Sequence, residues 1–428
     1  MRSSATALVG MLGGRELSAI ELACECLARI AAREPQLHAW ACVDESYAKR
    51  QAAALDAGPI RGPLHGLPIG VKDIFDTAEL PTEYGSQIYA GHRPAADASC
   101  VAVARAAGAV VLGKTATAEL ACYSPAATVN PHDAAHTPGG SSSGSAAAVA
   151  AGMVPLAFGT QTAGSVIRPA SFCGVVGYKP TYGMIGRAGL KLVAESLDTV
   201  GVFARSVPDA ALLVGALTGR DDLLDLPRVT GALRVGFCRT HEWDHVEPDA
   251  QSALEEAVRL LAAKGAVVNA IDLPDEFAGL GDAHAAIFGY EAARSFAHEQ
   301  RTHADRLTPR LRGELEAGSR VTAARYDDAQ QLARTCRRTL AAIQTDWDVL
   351  LAPSATSEAP RGLESTGSPV MNRMWTLLHA PCVSVPCGQG PRGLPLGLQV
   401  IGQRGEDASA LAAAAWIHEQ AGRPSLRT

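Results

Sequence analysis

The sequence predicts an α/β protein built on a mostly parallel or mixed sheet. Two observations carry that reading. Short apolar, strand-like runs alternate with helical patterns along the chain. Of 428 residues, 47% are hydrophobic and only 19% charged, which supplies a large core and argues against a disordered chain.

The elements follow in order. Residues 15–57 read as helices: Leu17, Ile20, Leu22, Leu27 and Ile30 recur at helical spacing, and Ser18 with Glu21 makes a capping box. Gly and Pro then crowd in, and Leu67–Val71 is a short apolar strand ending at Lys72. Asp97–Ala107 is a helical Ala/Val pattern, and Ala109–Leu112 a buried-type strand. Residues 137–165 hold a Gly/Ser loop, an Ala-rich helix (Ser145–Ala151) and a second turn. Residues 215–346 are richer in Arg, Asp and Glu. Amphipathic helices are expected there over Asp249–Lys264, Ala283–His303 and Arg320–Ile343, with strands at Leu233–Phe237 and Val267–Ile271. Strands return at Val349–Leu351, Val383–Val385 and Leu398–Ile401. No interdomain linker and no repeat is visible.

Composition narrows the function classes. A net charge of −6 gives no drive toward nucleic acid or an anionic membrane surface. No run of 18 apolar residues spans a bilayer, and the first residues lack the apolar core of a signal peptide. Ten cysteines without a CxxC pair suit reduced, buried thiols in a cytoplasmic protein. Two local oddities stand out: 12 of 42 glycines fall between Gly139 and Gly201, and only six lysines occur.

Several motifs mislead. Gly108–Thr115 matches a phosphate-binding GxxxxGK[ST], but its variable residues are themselves the strand rather than a loop after one. Gly140–Gly144 matches the GxSxG elbow, yet no strand precedes it. Ser46–Lys49 matches SxxK without the partner motifs. His132 and His136 have metal-ligand spacing, but no glutamate accompanies them and Pro131 breaks the helix, so no metal is expected.

Three elements stand together instead. Lys72 closes an apolar strand, where burial would lower its pKa enough to make it a base, unless it pairs with Asp73 or Asp76. The run Pro138–Gly152 puts small donors and backbone amides just before an Ala helix, an arrangement suited to negative charge, or else it is a flexible linker. In Leu156–Gly174 a turn of small residues, Thr162-Ala163-Gly164-Ser165, lets consecutive amides converge on one point, or is an ordinary turn.

Together these residues resemble the amidase signature family. Ser141 lies 24 residues before Ser165, and Lys72 lies 69 before Ser141. The likeness extends from Gly62–Asp73 through Val175–Gly183, Ser196–Ala211, Asp348–Ser354 and Gly393–Gly402, so it covers essentially the whole chain. It implies a central mixed, twisted sheet covered on both faces by helices, in one domain over 1–428. Its parts would be N-terminal helices (1–60), a catalytic core (61–214), a variable helical cap (215–346) and C-terminal core strands with a helix (347–428).

The resemblance further implies a Ser–cisSer–Lys triad. Ser165 would be the nucleophile. Ser141, joined to Gly140 by a cis peptide bond, would bridge it to Lys72, the base. The amides of Thr162, Ala163, Gly164 and Ser165 would hold the oxyanion, with Ser142 and Ser143 hydrogen bonding behind them. Here the turn carries Gln161 in place of the usual acid, Ala163 in place of a glycine, and Arg168 three rather than two residues after Ser165. That register is similar to the malonamidase-type branch, where such an arginine clamps a substrate carboxylate; the alternative is a structural ion pair under Pro169. Tyr123 and Asn130 would line the pocket by their place in the family layout.

The implied activity is hydrolysis of a linear amide of a small, carboxylate-bearing (malonamate-like) substrate, without cofactor, by a cytoplasmic homo-oligomer such as a dimer. Two other readings stand beside it. One is an A-type amidotransferase component that acts as a glutaminase and passes ammonia to a partner loaded with transfer RNA. The other is a catalytically silent binding protein on the same scaffold.

Overall fold

A computed structural model describes residues 3–421. The strands are β1 (Trp40–Val43), β2 (Pro68–Lys72), β3 (Val110–Thr115), β4 (Leu156–Gln161), β5 (Val176–Lys179), β6 (Thr199–Ala204), β7 (Arg234–Cys238), β8 (Val267–Ile271), β9 (Val349–Pro353), β10 (Cys382–Gln389) and β11 (Pro395–Ile401). All eleven form one sheet in the order β1-β3-β2-β4-β6-β5-β10-β11-β9-β7-β8. The sheet is mixed. Its parallel pairs, β2 with β3 and β4 and β7 with β8 and β9, lie toward the two ends, and the centre from β4 to β9 is antiparallel. Antiparallel pairs outnumber parallel ones, so of the two expected sheet types the mixed one is found.

Local chemistry explains the ends of several elements. The helix Ala19–Leu37 starts on the expected capping box, with the Glu21 carboxylate accepting from the Ser18 amide at 2.9 Å and Ser18 Oγ from the Glu21 amide at 3.2 Å. Strands β2 and β3 are buried at every position, which is why they read as apolar runs rather than alternations. Strands β1, β4, β5 and β6 go beyond the sequence reading.

The segment 215–346 differs from the expected cap. Its strand β7 pairs with β9 and β8 pairs with β7, so both extend the main sheet. Its helices include an additional one, Pro309–Ser319, whose Thr308 cap accepts from the Leu311 amide. The expected Ala283–His303 helix is broken at Phe296 into Leu280–Ser295 and Ala297–Thr302. The Arg320–Ile343 helix starts instead at Ala323, on the Thr322 cap.

Because β2 and β4 are parallel neighbours, their C-terminal ends leave the sheet on the same side. Those ends carry Lys72 and the 162–165 turn. The helix Ser143–Ala150 runs into β4 and brings the Gly/Ser run to the same place. Gly144 has no room for a side chain: a Cβ there would lie 2.1 Å from the Ala39 carbonyl oxygen and 2.4 Å from the Ala116 nitrogen.

Candidate active site

Lys72 is fully buried at the end of β2. Its Nζ lies 2.8 Å from Ser141 Oγ and 2.7 Å from Thr160 Oγ1. The nearby acids are engaged elsewhere. Asp73 pairs with Lys114 at 3.0 Å, and Asp76 accepts from the Tyr84 hydroxyl at 2.6 Å. Without a contacting carboxylate, burial lowers the Lys72 pKa to about 7, against a smaller opposing pull from Asp198. A neutral Lys72 has a lone pair to receive the Ser141 proton while it donates to Thr160. The Lys114 pairing also disposes of the phosphate-loop resemblance, since that ammonium is sealed inside the core.

The Gly140–Ser141 peptide bond is cis. Ser141 is held on both sides: its carbonyl accepts from the Ala118 amide at 3.2 Å, and the Gly140 carbonyl accepts from Arg168 Nη2 at 2.6 Å. Ser165 and Ser141 line the same cavity, of about 430 Å³. Among the described residues no hydrogen bond joins their two hydroxyls, so the structure makes the Lys72–Ser141 half of the relay; catalytic contacts commonly tighten only with substrate in place.

The turn after β4 is fastened by its carbonyls. Thr162 O accepts from His284 Nε2 at 2.9 Å, Ala163 O from Thr376 Oγ1 at 2.7 Å and Gly164 O from the Arg168 amide at 3.0 Å. In a trans peptide the C=O and the following N–H point in opposite directions. Tying these three carbonyls therefore turns the amides of Ala163, Gly164 and Ser165 the other way. Gln161 completes the fastening: Oε1 accepts from the Val166 and Ile167 amides at 2.9 and 3.0 Å, and Nε2 donates to Thr376 Oγ1 at 2.9 Å. Gly164 is obligatory because a Cβ would sit 2.4 Å from Asn372 Oδ1 and 3.1 Å from Arg168 Nη1. Thr162 Oγ1 donates to Asp198, whose other oxygen takes the Val193 and Ala194 amides at 2.6 and 3.1 Å. Burial raises the Asp198 pKa to about 6 despite these bonds.

The remaining expected residues divide. Ser142 bonds the backbone of Thr160 through both N–H and C=O at 3.3 Å, locking the helix to β4. Ser143 does not play the expected part: it is the first residue of the helix Ser143–Ala150, and its hydroxyl is buried with no hydrogen-bond partner among the described residues. Arg168 lies in a helix, Ile167–Cys173, and makes no ion pair among the described residues, against the structural ion-pair reading. Its Nε donates to Thr366 O and its Nη2 to Gly140 O and Thr366 Oγ1. Its Nη1 is buried without a partner, and the residue lines the cavity. Tyr123 lines the cavity too, packed edge-on to Phe288 at 5.9 Å.

Asn130 is a correction. It is buried away from the cavity, and its side-chain amide is spent on Thr137 O, Phe172 O and the His132 amide at 3.1, 2.9 and 2.9 Å. It stitches the loop before the Gly/Ser run instead. His132 and His136 also go to local partners, Cys173 O and Asp133, and no cluster able to hold a metal occurs among the described residues.

Sequence reasoning missed Thr160, His284, Thr376 and Asp198. The first is an ordinary strand residue in sequence. His284 and Thr376 reach the turn from 122 and 213 residues away. Only the Ser196–Ala211 segment, already part of the family likeness, carried a signal for Asp198.

Residues 21–411 match the Amidase family model, so the chain belongs to the amidase family. It is 35% identical over 458 residues to the A-type component of the glutamyl-tRNA(Gln) amidotransferase of Chloroflexus aurantiacus, covering 95% of this chain and 94% of that one. Among solved structures, it matches a chain of a vestigial complex that reveals the origins of an s-triazine catabolic enzyme (TM-score 0.89, 29% identity, 100% of both chains). It also matches the peptide amidase of Stenotrophomonas maltophilia (TM-score 0.84, 31% identity, 100% and 99%). No helix among the described residues is long and apolar enough to cross a membrane.

Proposed function

We propose that the protein releases ammonia from the primary amide of a small carboxylate-bearing molecule through an acyl-enzyme on Ser165. The observation that carries this is the buried, carboxylate-free Lys72 on Ser141, beside a turn whose three carbonyls are tied back. Lys72 takes the Ser165 proton through Ser141 as the hydroxyl attacks the carbonyl. The amides of Ala163, Gly164 and Ser165, with Thr162 at the start of the turn, receive the oxyanion. The proton returns to the leaving nitrogen, ammonia departs, and water cleaves the ester. Arg168 Nη1 faces the substrate carboxylate.

Glutamine and malonamate both satisfy this description. The curated relatives favour glutamine, and with it an ammonia-producing role in an amidotransferase assembly. The intact Lys72–Ser141–Ser165 set supports an active enzyme over a silent binding protein. Ten free cysteines, eight of them buried, suit a cytoplasmic setting, and a homodimer remains part of the proposal, checked by light scattering.

A panel of glutamine, malonamate and an amidated peptide, read by ammonia release, tests the activity. A fluorophosphonate adduct on Ser165 is the expected companion result. No labelling and no ammonia from any of them would overturn the reading. Glutamine turnover that rises on adding the partner component of an amidotransferase would place the protein in such an assembly.

A further inference from the structure

We propose that Arg373 is a second specificity-determining residue of this cavity, taking with Arg168 the carboxylate of the substrate. The inference rests on the proposed function and deepens it.

The charged side chains around the cavity are Arg168, Arg310, Arg373 and Glu314, three cations against one carboxylate. Arg310 is occupied: it donates to Glu364 O at 3.3 Å and lies over the Tyr123 ring at 5.9 Å. Arg168 has spent Nε and Nη2 on Thr366 and Gly140, leaving Nη1. Arg373 is different again. Its Nε is buried with no partner, and no hydrogen bond or ion pair holds its guanidinium among the described residues. Other buried cations of the molecule have partners of some kind: Lys114 pairs with Asp73, and Lys179 donates to the carbonyls of Pro180 and Ala380. Buried N–H groups are normally satisfied, and one left without a partner beside a cavity is placed to take its acceptor from a ligand.

Placement agrees. Arg373 stands on the helix Val370–Leu377, between Asn372, which backs Gly164, and Thr376, which holds Ala163 O. Its charge bears on His284, the residue fastening Thr162 O. Arg168 comes from the Thr366 side of the same turn, with Nη1 3.1 Å from the place a Gly164 Cβ would occupy. Two guanidiniums with unspent donors thus flank one nucleophile turn, the requirement for fixing an oxyanion group a short distance from the scissile carbonyl. Arg373 is also the cleaner probe. Arg168 anchors the Gly140 carbonyl and cannot be changed without disturbing Ser141, whereas Arg373 touches no atom of the proposed triad.

The experiment compares malonamate with malonamide, and glutamine with its α-amide, in the wild-type protein and in Arg373→Gln and Arg373→Lys. The expected result for Arg373→Gln is a loss of about 10–100-fold in kcat/KM on the acids, carried by KM, with the neutral amides within about 3-fold. Arg373→Lys should recover only part, because a point charge replaces a fork. Equal losses on acids and neutral amides, or no loss on either, would overturn the inference while leaving the amidase reading intact. A second readout does not need turnover: calorimetric binding of malonate and glutamate to Ser165→Ala, which Arg373→Gln should weaken by a similar factor. Unchanged binding would overturn the inference, and absence of ammonia release from every amide in wild type would remove the function on which it rests.

Discussion

The two ends of the cavity are built on different terms. At the chemical end, the polar groups are engaged: Lys72 by Ser141 and Thr160, the turn carbonyls by His284, Thr376 and the Arg168 amide. At the far end, Arg168 Nη1 and Arg373 Nε have no protein partner. A preorganised chemical end costs no rearrangement when charge develops. An end with unspent donors is paid for only when a ligand supplies the acceptors. The contrast separates the two tasks within this one cavity: the fastened end serves the chemistry, and the open end is free to take the substrate's acceptor groups.

The contrast breaks first from the chemical side. Ser165→Ala should cost about 10⁴-fold or more in ammonia release with an unchanged melting temperature; retained turnover would remove Ser165 as nucleophile. The pH profile comes next. Lys72 acts as a base only when neutral, so kcat/KM should rise about tenfold per pH unit up to about 7 and level off above it. A flat profile between pH 5 and 7 would mean that Lys72 is not the titrating base. His284→Leu should lower kcat about 10–100-fold with little change in KM, because it frees the Thr162 carbonyl without touching recognition. Burial holds the imidazole pKa at about 4, so that loss should be the same at pH 6 and pH 8. Asn130→Ala sets the lower limit. It should destabilise the fold by about 2–4 kcal/mol, since two carbonyls and an amide lose a buried partner, yet leave kcat of the folded protein within about 2-fold. A selective KM effect there would return Asn130 to the pocket.

What the sequence revealed follows the range of the interactions. Lys72, Ser141 and Ser165 were singled out by the family resemblance; the local patterns, a lysine ending an apolar strand, a Gly/Ser run before a helix and a turn of small residues, by themselves left a paired lysine, a linker and an ordinary turn open. Helix starts such as Ser18 with Glu21 were legible from the local pattern alone. Strand β4 was hidden because LAFGTQ mixes small and polar residues in a fully buried strand, against the usual β-branched signature. Asn130 misled because proximity in the family layout says nothing about which way an amide points. The residues 215–346 looked like an appendage because their helices are charged outside, while their two strands join a sheet whose other members lie far away in sequence.

Gln161 also gives the site a polarity. A hydrogen-bond chain has a direction, and here the amide sets it: Nε2–H points to Thr376, whose single hydroxyl proton is left for a carbonyl, the nearer being that of Ala163 at 2.7 Å against that of Asn372 at 3.2 Å. A carboxylate at 161 could still accept the Val166 and Ile167 amides, but it would draw the Thr376 proton toward itself and reverse the chain. Gln161→Glu, one atom exchanged for another of nearly equal size, should therefore release the Ala163 peptide and lower kcat several-fold, with Thr376→Val reproducing the loss and the double variant adding little. Full additivity of the two would show that the residues act separately. The direction of that short relay decides whether the Ala163 carbonyl, one of the three that orient the turn, stays tied back.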